Sequence, residues 1–271
     1  MAKQEGFLYE ENVAKALKKL GWVRPSYKPA KAASDRPDLE FLFEGKTYGC
    51  ELKKDLASAG SLVIHHLGNR KYEFGDVKGD KEKEFLKGLG LRNNLFSAMQ
   101  KKWRTAPFIQ RDRGKEWVKR VNNSGLSLEE RYNHDLRVCP DIYFQLPRTA
   151  IGSYYNLKDT HYINVAPYGF YLLGPLDPAR LNADKFGVEA VPKWEQNHTS
   201  LLRVRIQPKT LPQAIQQEKK VGYIKEGAGQ GYQITMEIVF QGVKRSRFNI
   251  GPTIGKSATI NESKIILPER E

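Results

Sequence analysis

Pro37-Asp38 is followed, across a short turn, by Glu51-Leu52-Lys53. Two carboxylates and a lysine in this order are the residue types that metal-assisted hydrolysis of a phosphodiester needs. The carboxylates supply hard oxygens for a divalent cation, and the ammonium orients a water and offsets charge in the transition state. Asp38 and Glu51 are the expected metal ligands, with the backbone carbonyl of Leu52 as a third oxygen. Such a set suits Mg²⁺, which keeps several of its own waters. Lys53 is expected to position the attacking water or to stabilise the pentavalent transition state, with a pKa open to depression by a nearby cation.

These residues form a site only if the backbone brings them to one face. Asp38 to Phe43, the turn signal Glu44-Gly45, and Lys46 to Lys53 read as a β-hairpin. An even-numbered connection centred on Glu44-Gly45 pairs Phe43 with Lys46 and therefore Asp38 with Glu51, and alternation places Lys53 on the same face. Leu39, Phe41, Phe43, Tyr48, Cys50 and Leu52 then form an apolar layer on the other face. A three-residue loop would reverse the relation and scatter the set. Upstream, Gly6 to Leu20 reads as an amphipathic helix closed by Gly21, with Val13, Ala14, Leu17 and Leu20 as its apolar stripe. Glu10 lies at the edge of that stripe. Two readings of it stand side by side: an acidic residue favoured near the helix N-terminus, or a fourth acidic group aimed at the site of Asp38 and Glu51.

The run Gly6-x-x-Tyr9-Glu10-x-x-Val13-Ala14-x-x-Leu17-x-x-Leu20-Gly21-Trp22, then Pro37-Asp38, then Glu51-Leu52-Lys53, resembles the PD-(D/E)xK nuclease superfamily. That superfamily includes many type II restriction endonucleases, phage exonucleases and Holliday-junction resolvases. The resemblance covers residues 6–66. It implies an α/β (α+β) fold with a restriction-endonuclease-like core, a central mixed sheet flanked by helices, and Mg²⁺-dependent DNA cleavage in which Mn²⁺ is able to substitute. The helix glutamate of the family maps to Glu10, its metal aspartate to Asp38, and its Glu-x-Lys pair to Glu51 and Lys53. By analogy with type II enzymes, which cut both strands of double-stranded DNA, the expected assembly is a homodimer.

The net charge of +14 suits a polyanionic partner, because each neutralised phosphate releases a condensed counterion. Lys101, Lys102, Arg104, Arg111, Arg113, Lys115, Lys119 and Arg120 cluster in one stretch, opposed only by Asp112 and Glu116. Trp103, Phe108 and Trp117 are interleaved as stacking surfaces or as anchors to the core. Arg203, Arg205, Lys209, Lys244, Arg245 and Arg247 are further candidates for phosphate contact, with a solvated face as the alternative. No apolar run is long enough to span a membrane, and the first residues lack an apolar signal core. Cys50 and Cys139 are too few for a disulfide framework. The expected setting is cytoplasmic, with no membrane partner.

Elsewhere, the pattern predicts a first strand over Trp22 to Lys28, a strand at Ser61 to Ile64 ending in His65-His66, and an exposed charged stretch from Asn69 to Lys87. A helix is predicted over Leu91 to Arg104 with Leu95, Met99 and Phe96 inward, then a polar segment from about Asn122 to Asn133. Short strands are predicted at Asp141–Phe144, Tyr162–Val165, Gly169–Leu173, Leu202–Ile206 and Ile234–Phe240. The expected organisation is a nuclease core with a basic helical extension over 1–135 and a strand-rich region over 136–271 that grips DNA or extends the sheet, the two forming separate domains or one. His65-His66 reads as a polar pair at a strand end in reach of DNA, with a metal pair or proton relay as the alternative; Pro140-Asp141 reads as the start of a strand; Gln100 reads as a solvated residue, with a supporting role beside the core as the alternative. Gly251-Pro252-Thr-Ile-Gly255-Lys256-Ser257 ends like a phosphate loop, but Ile250 stands where the first glycine is required and Pro252 lacks an amide, so no nucleotide cofactor is expected. Gly227 to Gly231 reads as a flexible loop. The leading expectation is a Mg²⁺-dependent DNA endonuclease of restriction type. A structure-selective DNA nuclease and a non-catalytic DNA-binding protein are the alternatives.

Overall fold

A computed structural model describes residues 2–29, 36–56, 58–108, 125–186, 200–208, 216, 220, 232–254 and 259–269. The fold is mixed α/β, with five α-helices and two five-stranded sheets among the described residues, one sheet mixed and the other curled into a half-barrel. The chain forms two compact units, and neither is a single stretch of sequence. The first comprises 1–59, 145–201 and 239–271, and the second 60–144 and 202–238. Residue 135, near which the composition changes, lies inside a helix.

The first unit contains helix α1 (Ala2–Lys19), the hairpin β1 (Leu39–Phe43) and β2 (Lys46–Lys53), and later β6 (Thr160–Val165), β7 (Gly169–Leu172) and β8 (Asp184–Lys185). Its sheet runs β1-β2-β6-β7-β8. Helix α1 stops because Gly21 takes φ +72°, with Trp22 N–H donating to Leu17 O and Gly21 N–H to Lys18 O, a pattern that satisfies the last carbonyls. Tyr9, Val13, Ala14 and Leu17 are buried against Leu39, Phe41, Cys50, Leu52, Tyr162 and Phe170. Leu20 departs from the expected stripe and is 40% exposed, since it is the residue at which the chain turns out of the helix.

The predicted strand over Trp22–Lys28 does not form. Trp22 instead packs its ring on Phe41 and Phe43, its carbonyl accepts from Leu42 N–H, and the segment continues as turns. The hairpin turn holds Glu44 at φ 48° and Gly45 at φ 75°, the two-residue connection whose twist suits paired strands. The register runs from Phe43↔Lys46 to Leu39↔Cys50, which is the even register expected. On its other side β2 pairs in parallel with β6, matching Glu51 to Ile163 and Lys53 to Val165.

The second unit carries the sheet β4-β3-β10-β9-β5, formed by β3 (Ser58–His66), β4 (Tyr72–Phe74), β5 (Ile142–Gln145), β9 (Ser200–Pro208) and β10 (Tyr232–Phe240). Three helices join it: α2 (Lys81–Arg92), α3 (Leu95–Lys102) and α4 (Leu128–Val138). The stretch Asn69–Lys87 is thus not a bare exposed segment. It holds β4 and the start of α2, where the Asp80 carboxylate caps Lys83 N–H and Leu86 is buried. The helix predicted over Leu91–Arg104 is interrupted at Asn93-Asn94, where Asn94 adopts φ 48°; Leu95 and Met99 are buried as expected. The polar segment ending at Asn133 turns into α4 through a capping box between Ser127 and Glu130. Trp103 is fully buried and donates to Pro140 O at 2.8 Å, so it anchors this core and offers no stacking surface.

Gly49 is where the hairpin meets its neighbours most tightly. A Cβ there would lie 2.7 Å from Asp159 O and 3.1 Å from the Pro37 ring carbons. Gly49→Ala is expected to destabilise the protein by about 1–3 kcal/mol through overpacking. Urea unfolding checks this, and an unchanged midpoint would contradict it.

Candidate active site

The turn and register position the candidate residues one by one. Asp38 is the residue beyond the last pair of β1, and continued alternation sets it opposite Glu51. Its Oδ2 accepts the Leu52 N–H at 3.0 Å, and its carbonyl accepts the Tyr27 hydroxyl at 2.9 Å. Pro37 is seated against the bare backbone of Gly49, which fixes the approach of Asp38 to β2. Glu51 is only 3% exposed. Lys53, two residues on and on the same face, donates to Glu51 Oε1 at 2.6 Å. The backbone beneath Lys53 is held by Ala166 N–H donating to Lys53 O at 2.9 Å.

Glu10 arrives from α1. The residue before it, Tyr9, donates its hydroxyl to Gly251 O, and Asn164 clasps the same segment through Asn164 Nδ2 to Gly251 O at 3.1 Å and Ile250 N–H to Asn164 Oδ1 at 3.0 Å. This three-way contact fixes the rotation of the helix. It also gives Gly251 a structural task, since a Cβ there would come within 2.5 Å of the Tyr9 hydroxyl.

The electrostatics tie the four residues together. Burial raises the Glu10 carboxyl to about 8, helped by the negative charges of Asp38 and Glu51 and opposed by Lys53. Burial and then Glu51 also raise Asp38, against the pull of Lys53, the Leu52 amide and Lys158. Burial would lower the Lys53 ammonium, but Glu51, Asp38 and Glu10 outweigh it and hold the group above its usual range. The depression that a cation could bring is therefore not its resting condition. Oε2 of Glu10 and Oε2 of Glu51 are both out of solvent with no hydrogen-bond partner among the described residues. Cys50, on the opposite face, is buried and its thiol is pushed far up, so it is no nucleophile.

Two residues beside the candidate cluster carried no reading in the sequence. Helix α5 (Ala150–Asn156) carries the buried Tyr155, whose ring centre lies 6.0 Å from Lys53 Nζ and 5.9 Å from Lys158 Nζ. Lys158 lies in the turn just before β6. The only signal was the pair Tyr154-Tyr155 ahead of a lysine, in a segment without helical periodicity long enough to read.

The other candidates are dispersed. Lys101, Lys102 and Arg104 are exposed at the end of α3 and just after it in the second unit, and Lys102 Nζ donates to Asp141 O at 3.2 Å. Arg203 and Arg205 both engage the buried Glu237, so their charge is used within the sheet. Lys244 and Arg245 are exposed in the first unit. Arg111, Arg113 and Lys115, with Trp117, Lys119, Arg120, Lys209, Gly227–Gly231 and 255–257, lie outside the described residues. His66 is buried against Tyr72 in the second unit, where Gln100 also bonds Arg70 O. Asp141 leads into β5, as expected of a structural residue.

Among the described residues no group of three or more His, Cys, Asp or Glu side chains forms a ready metal cage. A fully caged ion is not what this donor set suits. Buried carboxylate oxygens without partners, crowded so that they raise one another's proton affinity, suit a hard cation that takes one or two carboxylates and completes its shell with water and phosphate oxygens. The partnerless oxygens are those of Glu10 and Glu51, while Asp38 Oδ2 is engaged by the Leu52 amide. The chain matches no protein-family model, and no curated protein or solved structure is significantly similar to it.

A raised carboxyl pKa has a definite sign for stability. The folded state keeps a proton on Glu10 that the unfolded chain releases above its ordinary value, so this group's contribution is intact at low pH and is lost as pH rises through about 8. Thermal melts without divalent metal should therefore show Glu10→Gln matching the wild type near pH 5 and exceeding it near pH 8. A variant with the same pH slope as the wild type would refute the assignment.

Proposed function

We propose that the protein is a Mg²⁺-dependent deoxyribonuclease, a restriction-endonuclease-like enzyme of the PD-(D/E)xK kind that hydrolyses phosphodiester bonds within double-stranded DNA. One observation carries the reading. Glu10, Asp38, Glu51 and Lys53 come from α1, the residue leading into β1, and β2, yet each perturbs the charge of another. An accidental sequence match gives no reason for such convergence.

Asp38 and Glu51 would hold the cation, with the Leu52 carbonyl beside them. When bound there, Mg²⁺ would supply a more acidic water and screen the charge on the scissile phosphate. Lys53, kept protonated by three carboxylates, acts as a hydrogen-bond donor toward the attacking water or a phosphate oxygen, and not as a general base. Proton acceptance falls instead to a carboxylate, and Glu10, poised near 8, has an affinity suited to working near neutral pH. Lys158 and the Tyr155 ring back this arrangement from α5 and the turn after it.

The +14 charge supports a DNA partner, with the exposed Lys101, Lys102, Arg104, Lys244 and Arg245 as phosphate contacts. Each chain brings one such cluster, so cutting both strands in one event calls for two copies.

Plasmid incubated with the protein and Mg²⁺ should be cut, and EDTA should stop it. Asp38→Asn, Glu51→Gln and Lys53→Ala should each lower the rate by at least about 100-fold while leaving DNA retention in gel shifts largely intact. Equal nicking by the wild type and by all three variants would sink the proposal.

A further inference from the structure

The first unit holds a cleft that the acidic cluster does not use. Helix α5, the start of β6 and the ends of β7 and β8 line a cleft of about 470 Å³, a volume ordinary for small-ligand sites. Leu173, Leu176 and Phe186 form an apolar wall, and Leu176 stands 79% exposed at the lip. Arg148, Lys185 and His161 supply the basic groups, and no acidic side chain among the described residues lines the cleft. Among the described residues neither Arg148 nor Lys185 makes an ion pair. His161 Nδ1 is out of solvent and lacks a hydrogen-bond partner there.

An apolar slot beside unmatched cations selects a ligand with a flat apolar part and an anionic part. A nucleotide has both. The cleft is also joined to the cluster described above by a single element. Helix α5 lines the cleft with Gly152, Ser153 and Asn156, and its Tyr155 ring centre lies 6.0 Å from Lys53 Nζ. Gly152 makes this possible: a Cβ at that position would meet Leu173 O at 2.3 Å, so only a glycine lets α5 lie this close to the end of β7.

We propose that this cleft binds one nucleoside monophosphate unit, with its base against Leu173 and Leu176 and its phosphate toward Arg148 and Lys185. The unit has two possible sources. It is either a free mononucleotide or a nucleotide turned out of a bound strand, as enzymes that read single bases do. The second source rests on the DNA-cleaving reading above; the first does not.

Calorimetric titration of the wild-type protein in EDTA, with each deoxynucleoside monophosphate and with inorganic phosphate, tests the cleft without any cleavage. Saturable binding of at least one mononucleotide is expected, with phosphate alone clearly weaker. Arg148→Ala and Lys185→Ala should each weaken it about tenfold, and Ser153→Trp, which fills the cleft, should abolish it. Duplex DNA carrying a fluorescent adenine analogue then separates the sources. A rise in emission on binding that Arg148→Ala suppresses assigns the cleft to a strand nucleotide, while no rise alongside mononucleotide binding assigns it to the free form. Absence of mononucleotide binding, equal binding of phosphate, or binding untouched by all three variants overturns the proposal. Plasmid cleavage is scored separately. Nucleotide binding without cleavage would remove the nuclease reading and leave the cleft, and cleavage without nucleotide binding would do the reverse.

Discussion

Side-chain parity along one hairpin is the constraint on which the rest of the first unit depends. The turn at Glu44-Gly45 commits both strands to a register, and from that point each residue has one possible face. Leu39, Phe41, Cys50 and Leu52 go to the core with α1, and Glu51 and Lys53 go to the other side. A slip of a single residue would drive Glu51 and Lys53 in among Tyr9, Val13 and Phe41. The apolar layer therefore guards the site. Its own burial, worth roughly 1.5–3 kcal/mol for each large side chain, resists any register that would misplace the charges.

That parity is also why the hairpin and its charged residues were legible in the sequence. Alternation needs no tertiary information, and Glu44-Gly45 is a local turn signal that fixes the pairing by itself. The strands β6, β7, β9 and β10 were legible for the same reason. The helices α2, α4 and α5 were not, because their buried faces are narrow and their polar residues dominate any periodicity count. Their caps were present all the same: Asp80 ahead of α2, and Ser127 with Glu130 at α4. Trp22–Lys28 misled in the opposite way, since aromatic and β-branched residues there serve as packing for Phe41 and Phe43. Tyr155 and Lys158 come near Lys53 only through the parallel pairing of β2 with β6, a contact between segments more than a hundred positions apart that no local pattern encodes.

The charges of the cluster oppose the fold that gathers them. Three carboxylates share one partly buried region with Lys53 as their closest counter-charge, and two carboxylate oxygens have no hydrogen-bond partner among the described residues. A protein selected for stability alone would place apolar groups there. Strain of this sort is tolerated when the surrounding packing is secure, and here it is. Trp22, Phe41, Tyr162 and Phe170 interlock ring against ring directly behind the strands. By contrast, the charge of Arg203 and Arg205 is settled internally by Glu237, so a basic residue count overstates what the surface offers to a polyanion.

The clasp between Tyr9 and Gly251 links helix α1 to a segment 242 positions later. It has a consequence for the order of events on the ribosome. The hairpin can close as soon as its few dozen residues have emerged, but its parallel neighbour β6 comes only after the intervening segments, and the seat for α1 later still. Glu10 is therefore set in place only once the Gly251 segment has been made. A nascent chain carries Glu10, Asp38, Glu51 and Lys53 long before it carries their arrangement.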